Sequence, residues 1–245
     1  MIGDILTVMW KDWRELVFHR ASLRGTLASA AVVIILLGLV FPLRIGGAWL
    51  GSPMYLVYWG WVPSMLVSTL IADSFAGERE RHTLETLLAS RLGDGAILLG
   101  KIGASVVYGC AITFALLGAG LVTVNVAHWA GQPAGYTPFV TAAAVSITLL
   151  LSVATAAVGA LASLHAATVR QAQQTLNVVL MTAGLLPFLL IDLLPSEMRA
   201  PLVDWAARVD PALWLIGGSL LMAGVDVTLL RLVSRRFQRG KLLVD

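Results

Sequence analysis

Glu78, Glu80 and His82 stand within five residues of one another, in the run Gly77-Glu78-Arg79-Glu80-Arg81-His82-Thr83-Leu84-Glu85-Thr86-Leu87-Leu88, and His165 supplies another imidazole much later in the chain. Carboxylates and imidazoles hold zinc and move protons at neutral pH, so an intramembrane hydrolase is the first chemistry to weigh. Such a site needs its acid and its ligands to converge at membrane depth. Here both carboxylates and His82 belong to a polar segment between apolar runs, and His165 stands alone near a predicted helix end. Ser219, in Gly217-Gly218-Ser219-Leu220, has no evident base. Nor is there a phosphate loop of the form G-x-x-x-x-G-K-[ST], because Leu99-Gly100-Lys101-Ile102 lacks the first glycine and the hydroxyl residue. The residues therefore predict no catalytic group, no metal site and no cofactor in this chain.

The surroundings of that polar island are what give it meaning. Hydrophobic residues make up 58% of the 245 positions and charged residues 13%, with a mean hydropathy of +0.84. A soluble domain carries far more charge, so the bilayer is the expected solvent. The predicted fold is an all-α integral membrane protein, with residues 1–245 as one domain. Six apolar runs mark the spans: Gly25–Leu43, Tyr55–Ala76 with a kink at Pro63, Ala96–Val126, Pro138–Ala167, Ala172–Leu194 with Pro187 near its end, and Pro211–Val233. The 19 residues of the first, at about 1.5 Å each, give roughly 28 Å, one hydrocarbon thickness. The third is long enough to begin with an interfacial piece. The lone Cys110 lies in an apolar run and forms no intrachain disulfide.

Residues 1–24 do not read as a cleavable signal, because Asp4, Lys11, Asp12, Arg14 and Glu15 interrupt any apolar core. Ile2, Ile5, Leu6, Met9, Trp10, Trp13, Leu16 and Val17 recur at helical spacing instead, which predicts an amphipathic helix lying in the interface. Residues 195–210 predict a short outer helix, with Leu202, Trp205, Ala206 and Val209 on one face. Fourteen of the seventeen Lys and Arg lie before the first span, after the second and fourth, or at the end of the sixth. Only Arg44, Arg199 and Arg208 lie on the other side. The positive-inside rule thus places both termini and the 77–101 segment in the cytoplasm, in a cell (inner) membrane. The net charge of +3 is small, and no nucleic-acid partner is expected.

Within 78–92, Leu84, Leu87, Leu88 and Leu92 fall at helical spacing, while Glu78, Arg79, Arg81 and Glu85 face water in this reading. Glu78 to Arg81 and Arg81 to Glu85 are spaced to pair along a helix, and Gly93-Asp94-Gly95 then re-aims the chain into the third span. The physics alone is equally compatible with a solvated loop that enforces topology. The run Glu78-Arg-Glu80-Arg-His-Thr83-Leu84-Glu85-Thr-Leu87-Leu88-Ala89-Ser90, followed by Leu99-Gly100-Lys101, resembles the signature of type-2 ABC transporter permeases, roughly E-K-E-x-G-T-L-E-x-L-L-A-T-P and then G-K. His82 replaces the usual glycine and Arg91 the usual proline.

That resemblance implies an exporter's membrane subunit, working by alternating access as a homodimer or heterodimer. ATP and Mg would be held by a separate ABC ATP-binding subunit. It further implies that Glu78, Glu80, Thr83, Glu85, Leu87 and Leu88 form a coupling element docking on that subunit, within the 77–95 segment. Lys101 would lie at its base, with the N-terminal helix and the 170–174 turn as secondary contacts.

Less apolar positions in two spans are candidates for a translocation path: Tyr58, Ser64, Ser68 and Thr69 in the second, and Thr175, Asn177 and Thr182 in the fifth. The resemblance implies that these spans face a dimer cavity. Equally, the hydroxyls can bond their own helix backbone. Asp226 in the sixth span is the intramembrane charge, costly unless partnered, and it reads as a structural group reaching Arg231, backbone or water. Small residues at Ala156/Ala160, Gly159/Ser163, Gly100, Gly109 and Gly118 allow close helix approach. A secondary transporter without an ATPase is the other reading, although it would normally carry more intramembrane charge and an internal repeat.

Overall fold

The computed structural model describes residues 2–18 and 31–237. Residues 25–30 of the first expected span, Arg20, Arg24, Arg239 and Lys241 lie outside the described residues. Every described element is helical: α1 (Ile2–Phe18), α2 (Ala31–Ile45), α3 (Ala48–Gly51), α4 (Leu56–Glu80), α5 (Leu84–Leu88), α6 (Asp94–Ala127), α7 (Pro138–His165), α8 (Val169–Asp192), α9 (Ser196–Arg208) and α10 (Pro211–Arg236). Five of the described helices are long and apolar enough to span a membrane, namely α4, with the 3₁₀ turn that leads into it, and α6, α7, α8 and α10. The described part of the first apolar run is the shorter helix α2. The helix α6 has 34 residues, about 51 Å of rise, well beyond one bilayer core. Its first turns carry the extra length and pack against α1.

Helix α7 is the spine. It lies along α4 on one side and α10 on another, and touches α6 and α8. Small residues make this possible, as the Ala/Gly/Ser spacing predicts. A Cβ on Gly159 would collide with Ile71 Cγ2 of α4, and one on Gly100 would come within 2.6 Å of Val8 Cβ of α1. Two large apolar clusters and a small alanine cluster of Ala72, Ala76, Ala166 and Ala172 result among the described residues. One gathers Ile71, Phe75, Leu84, Leu87, Ile97 and Leu176 at the polar-island end. The other gathers Leu37, Trp49, Trp59, Leu116 and Val124 at the opposite end.

In an apolar solvent each backbone group freed by a helix irregularity needs a partner from a neighbouring helix. Pro63 removes the N–H that would bond the Trp59 carbonyl, and the Thr148 hydroxyl of α7 donates to that carbonyl at 3.3 Å. The π-helical turn Ile34–Val40 in α2 offsets its carbonyls, and the Thr123 hydroxyl of α6 donates to Gly38 O at 2.7 Å. The third case is the most consequential. Ser163 of α7 accepts from the Phe75 and Ala76 amides at 3.1 and 2.9 Å and donates to Ala72 O at 2.9 Å. Its hydroxyl is inserted into the α4 hydrogen-bond ladder one turn before the polar island, a known cause of helix bending.

Candidate functional site

The polar island is not the single rod expected from its leucine spacing. Helix α4 runs four residues past Ala76 and takes Gly77–Glu80 as its last turn. The chain then turns at Arg81 and His82, and α5 is only five residues long. The turn is closed by the Thr83 amide donating to Glu78 O at 2.9 Å. His82 has φ of +56°, the left-handed backbone that glycine adopts freely and histidine adopts more readily than most side chains. That conformation explains why a glycine is expected here, and the histidine accepts it. Arg81 turns back across Gly77 to Asp73 at 3.2 Å rather than forward to Glu85, because the helix that would align the second pair has ended. Leu84 and Leu87 enter the core while Glu85 and Thr86 stay exposed; the Leu88 side chain lies outside the described residues. Gly93 caps α6 with extended backbone, and Asp94 sits in its first turn, where a negative charge is favoured.

Glu78, expected to face water, is instead 2% exposed. Its Oε1 lies 2.9 Å from Lys11 Nζ of α1 and 3.0 Å from Lys101 Nζ of α6. Lys101 is equally buried. It also donates to Ser74 O at 2.8 Å, lies 3.7 Å from Asp12, and stands over the Phe75 ring at 5.3 Å. The physical reason is desolvation: once α1 covers the first turns of α6, a lysine buried there needs a carboxylate and carbonyls as partners. Among the described residues Glu78 Oε2 has no hydrogen-bond partner. Burial pushes the Asp12 carboxyl above its ordinary value, with Lys101 and Lys11 opposing. For Lys11 the largest single influence, burial, lowers its value, but the Glu78 hydrogen bond and the neighbouring carboxylates together raise it.

Its neighbours tie down a third element. Arg79 donates to the Ala166 and Leu164 carbonyls at the end of α7, the latter at 3.0 Å. Glu80 Oε1 accepts from the Val169 amide at 2.8 Å, capping the first turn of α8 beside Thr168. Residues 170–174 are therefore the opening turns of α8 and not a turn of their own. Three consecutive charged residues thus join α4 to α1, α6 and the α7–α8 connection. The surface left outward includes Arg81, His82, Thr83, Glu85 and Thr86.

The candidate path residues divide by helix. Ser64, Ser68 and Thr69 donate to Gly60, Met65 and Leu66 carbonyls of their own helix at 3.1, 2.8 and 2.8 Å, following the self-bonding alternative. Tyr58 is packed among Phe41, Trp49 and Tyr55. Thr175, Asn177 and Thr182 are all exposed on α8, and Thr175 lines a cavity of about 320 Å³ with His165 and Gln171. Asp226 is 4% exposed, and among the described residues neither carboxylate oxygen has a hydrogen-bond partner. Arg231 lies exposed further along the helix. At the short helix α9, Arg199 is paired to Asp192 at 2.7 Å and Trp205 lies edge-on to Trp214.

Lys11, Asp12 and Ser163 are central here and were not among the expected site residues. The available signal for the first two was charge set inside the apolar pattern of α1. Ser163 had only its place in a small-residue stripe.

Apolar helices of spanning length, packed through small residues and pinned at one end by buried charge, define a multi-pass integral membrane protein. Residues 62–204, more than half of the chain, match the family model described as ABC-2 family transporter protein. The chain belongs to that family and is the membrane permease component of an ABC-type transporter, a part that is not itself catalytic. No curated protein matches it.

Proposed function

We propose that this permease couples ATP hydrolysis in a separate ABC subunit to movement of its own spans, through the surface presented by residues 81–86. The observation that carries this reading is the charged junction itself. A push on α5 is delivered through the last turn of α4 to three places at once: α1 through Lys11, α6 through Lys101, and α8 through Glu80. Glu78 and Lys101 then act from inside as positioning groups, while Glu85 and Thr83 meet the partner. ATP and Mg belong to that partner.

The full architecture is six spans, with α2 belonging to the first. Both termini and the junction face the cytoplasm, where the basic residues concentrate, and transport runs outward from the cell membrane. Helices α8 and α10 have little of their spanning surface covered within one chain. Asn177, Thr175 and Thr182 stand exposed on α8, where polar groups facing lipid are unfavourable. A second permease copy covering α8 would shelter these groups and place them on a shared alternating-access cavity. Co-purification of the chain with a candidate ABC ATP-binding subunit tests this. A stable complex whose ATPase rate falls when Glu85 is changed to Arg supports the coupling surface; absence of a complex overturns it.

A further inference from the structure

We propose that the cleft between the end of α7 and the start of α8 binds a single-chain amphiphile with an anionic headgroup. The cavity there holds about 320 Å³ and is lined by Val158, Ala162 and His165 of α7 and by Gln171, Thr175 and Val179 of α8. That volume is at the lower end of the roughly 300–1,000 Å³ of small-molecule pockets, which suits one chain. The lining is sorted along the two helices. Because α7 ends at His165 and α8 begins at Val169, His165 and Gln171 lie at the connection, Thr175 one turn further on, and Val158 and Val179 deepest in the spans. The polar end therefore lies beside the charged junction and the apolar end toward membrane depth. Such a gradient fits a molecule with a polar head and an apolar tail.

The polar end offers donors and positive charge. Gln171 Oε1 accepts from the Ala167 amide at 3.0 Å, which leaves the side-chain NH₂ with its two donors. His165 Nδ1 lies 2.8 Å from Leu161 O. A carbonyl only accepts, so Nδ1 carries a proton and Nε2 is left for a ligand. Nε2 accepts an acidic O–H when the ring is neutral and donates when it is charged. Thr175 adds a hydroxyl to the same lining. Arg79 is fastened to the Ala166 and Leu164 carbonyls beside the cavity, and Arg170 is exposed next to Gln171. The Glu80 carboxylate at this connection already accepts from the Val169 amide through Oε1. An anionic headgroup thus finds donors and cations here, whereas an ammonium would meet Gln171 and Glu80 each with an oxygen already engaged.

The site deepens the reading of α8 as a wall of the translocation path and rests on it for transport. Binding itself is measured on the permease alone, in phosphatidylcholine nanodiscs without an ATP-binding subunit. Radiolabelled dodecyl phosphate should bind saturably above empty nanodiscs at neutral pH. Unlabelled dodecyl phosphate and dodecanoate should compete about tenfold better than dodecylamine or dodecanol, the discrimination worth one charge-assisted hydrogen bond. Inorganic phosphate should not compete, because it has no chain. Gln171→Glu, at an exposed position, keeps the acceptor for the Ala167 amide but replaces the donors by negative charge, and should erase the preference. Val179→Trp, which fills the apolar end from another exposed position, should weaken every amphiphile. Equal competition by dodecylamine, or competition by inorganic phosphate, overturns the site. So does a Gln171→Glu variant that keeps the preference, or undiminished binding in Val179→Trp. None of these results depends on whether Glu85 meets an ATPase, so the site and the coupling reading fail separately.

Discussion

Lys101 Nζ of α6 lies 3.0 Å from Glu78 Oε1 of α4, and each residue is only 2% exposed. Two opposite charges at that depth repay their desolvation only while they stay together. The same carboxylate oxygen holds Lys11, so one side chain anchors two helices to α4. Removing it leaves a fully buried ammonium with backbone and ring contacts but no adjacent counter-charge apart from Asp12 at 3.7 Å.

Glu78→Ala should therefore cost roughly 3–5 kcal/mol, the range for stranding one member of a buried pair. Replacing both partners by apolar residues of similar volume, Glu78→Leu with Lys101→Met, should recover much of that loss. Thermal unfolding of the four members of the cycle in one detergent gives the coupling energy. Additive single effects would mean that the pair does not act as a unit.

The Asp12 carboxyl is raised by burial, so the folded state holds its proton at pH values where the unfolded chain has released it. The sign follows from linkage. Stability should fall as pH rises from the ordinary carboxylate value through the raised one. Asp12→Asn should flatten the profile across that window and be the more stable protein at neutral pH. Midpoints of unfolding from about pH 4 to pH 8 measure this, and parallel profiles for the two proteins would be the contrary outcome.

His82 occupies a left-handed backbone, φ +56°. His82→Gly should be neutral or mildly favourable to the folded turn, within about 1 kcal/mol. His82→Val should be clearly worse, because a β-branched side chain in that region is strained. Stimulated ATPase of the complex is the readout, with His82→Gly retaining it and His82→Val losing it. Equal activity of the two would place no demand on the turn.

Ser163 satisfies Phe75, Ala76 and Ala72 backbone groups inside the α4 ladder. Ser163→Ala should permit α4 to close its own ladder there, at a cost below the roughly 1–3 kcal/mol of a truly unsatisfied buried group, and straighten the helix ahead of Gly77. Amide exchange at 72–80 should slow in the variant. Faster exchange would show instead that the hydroxyl is a simple brace.

Spanning helices are legible because apolar length and fences of charge are local properties. α4, α6, α7, α8 and α10 lie where the runs predict to within about a turn, and α4 and α10 continue three or four residues past the apolar stretch at their charged ends. The break at Gly93-Asp94-Gly95 ahead of the third span is equally readable. The direction of Glu78 is not. Leucine spacing from 84 to 92 points to one continuous helix starting at 78, and in that frame Glu78 faces water. The chain instead turns at His82, which leaves Glu78 on α4, and α1 folds over it. Whether a charge is covered depends on a helix far away in sequence, and periodicity carries no such information. The surroundings of Asp226 are not readable for a related reason. Arg231 is near it in sequence, but five positions on a helix place the two on different faces.

Exposure of Glu85 and Thr86 beside the buried Glu78 junction is the basis of the coupling account, and one experiment tests it most directly. The permease and its ATP-binding partner are reconstituted in nanodiscs, and Thr86→Cys is cross-linked to single cysteines on the partner surface while ATPase activity is followed. The account requires a cross-link that forms with one patch of the partner and changes in yield between ATP-bound and nucleotide-free states, with Glu85→Arg abolishing both cross-link and stimulated ATPase. An intact, fully stimulated complex in which Thr86→Cys never reaches the partner would contradict it.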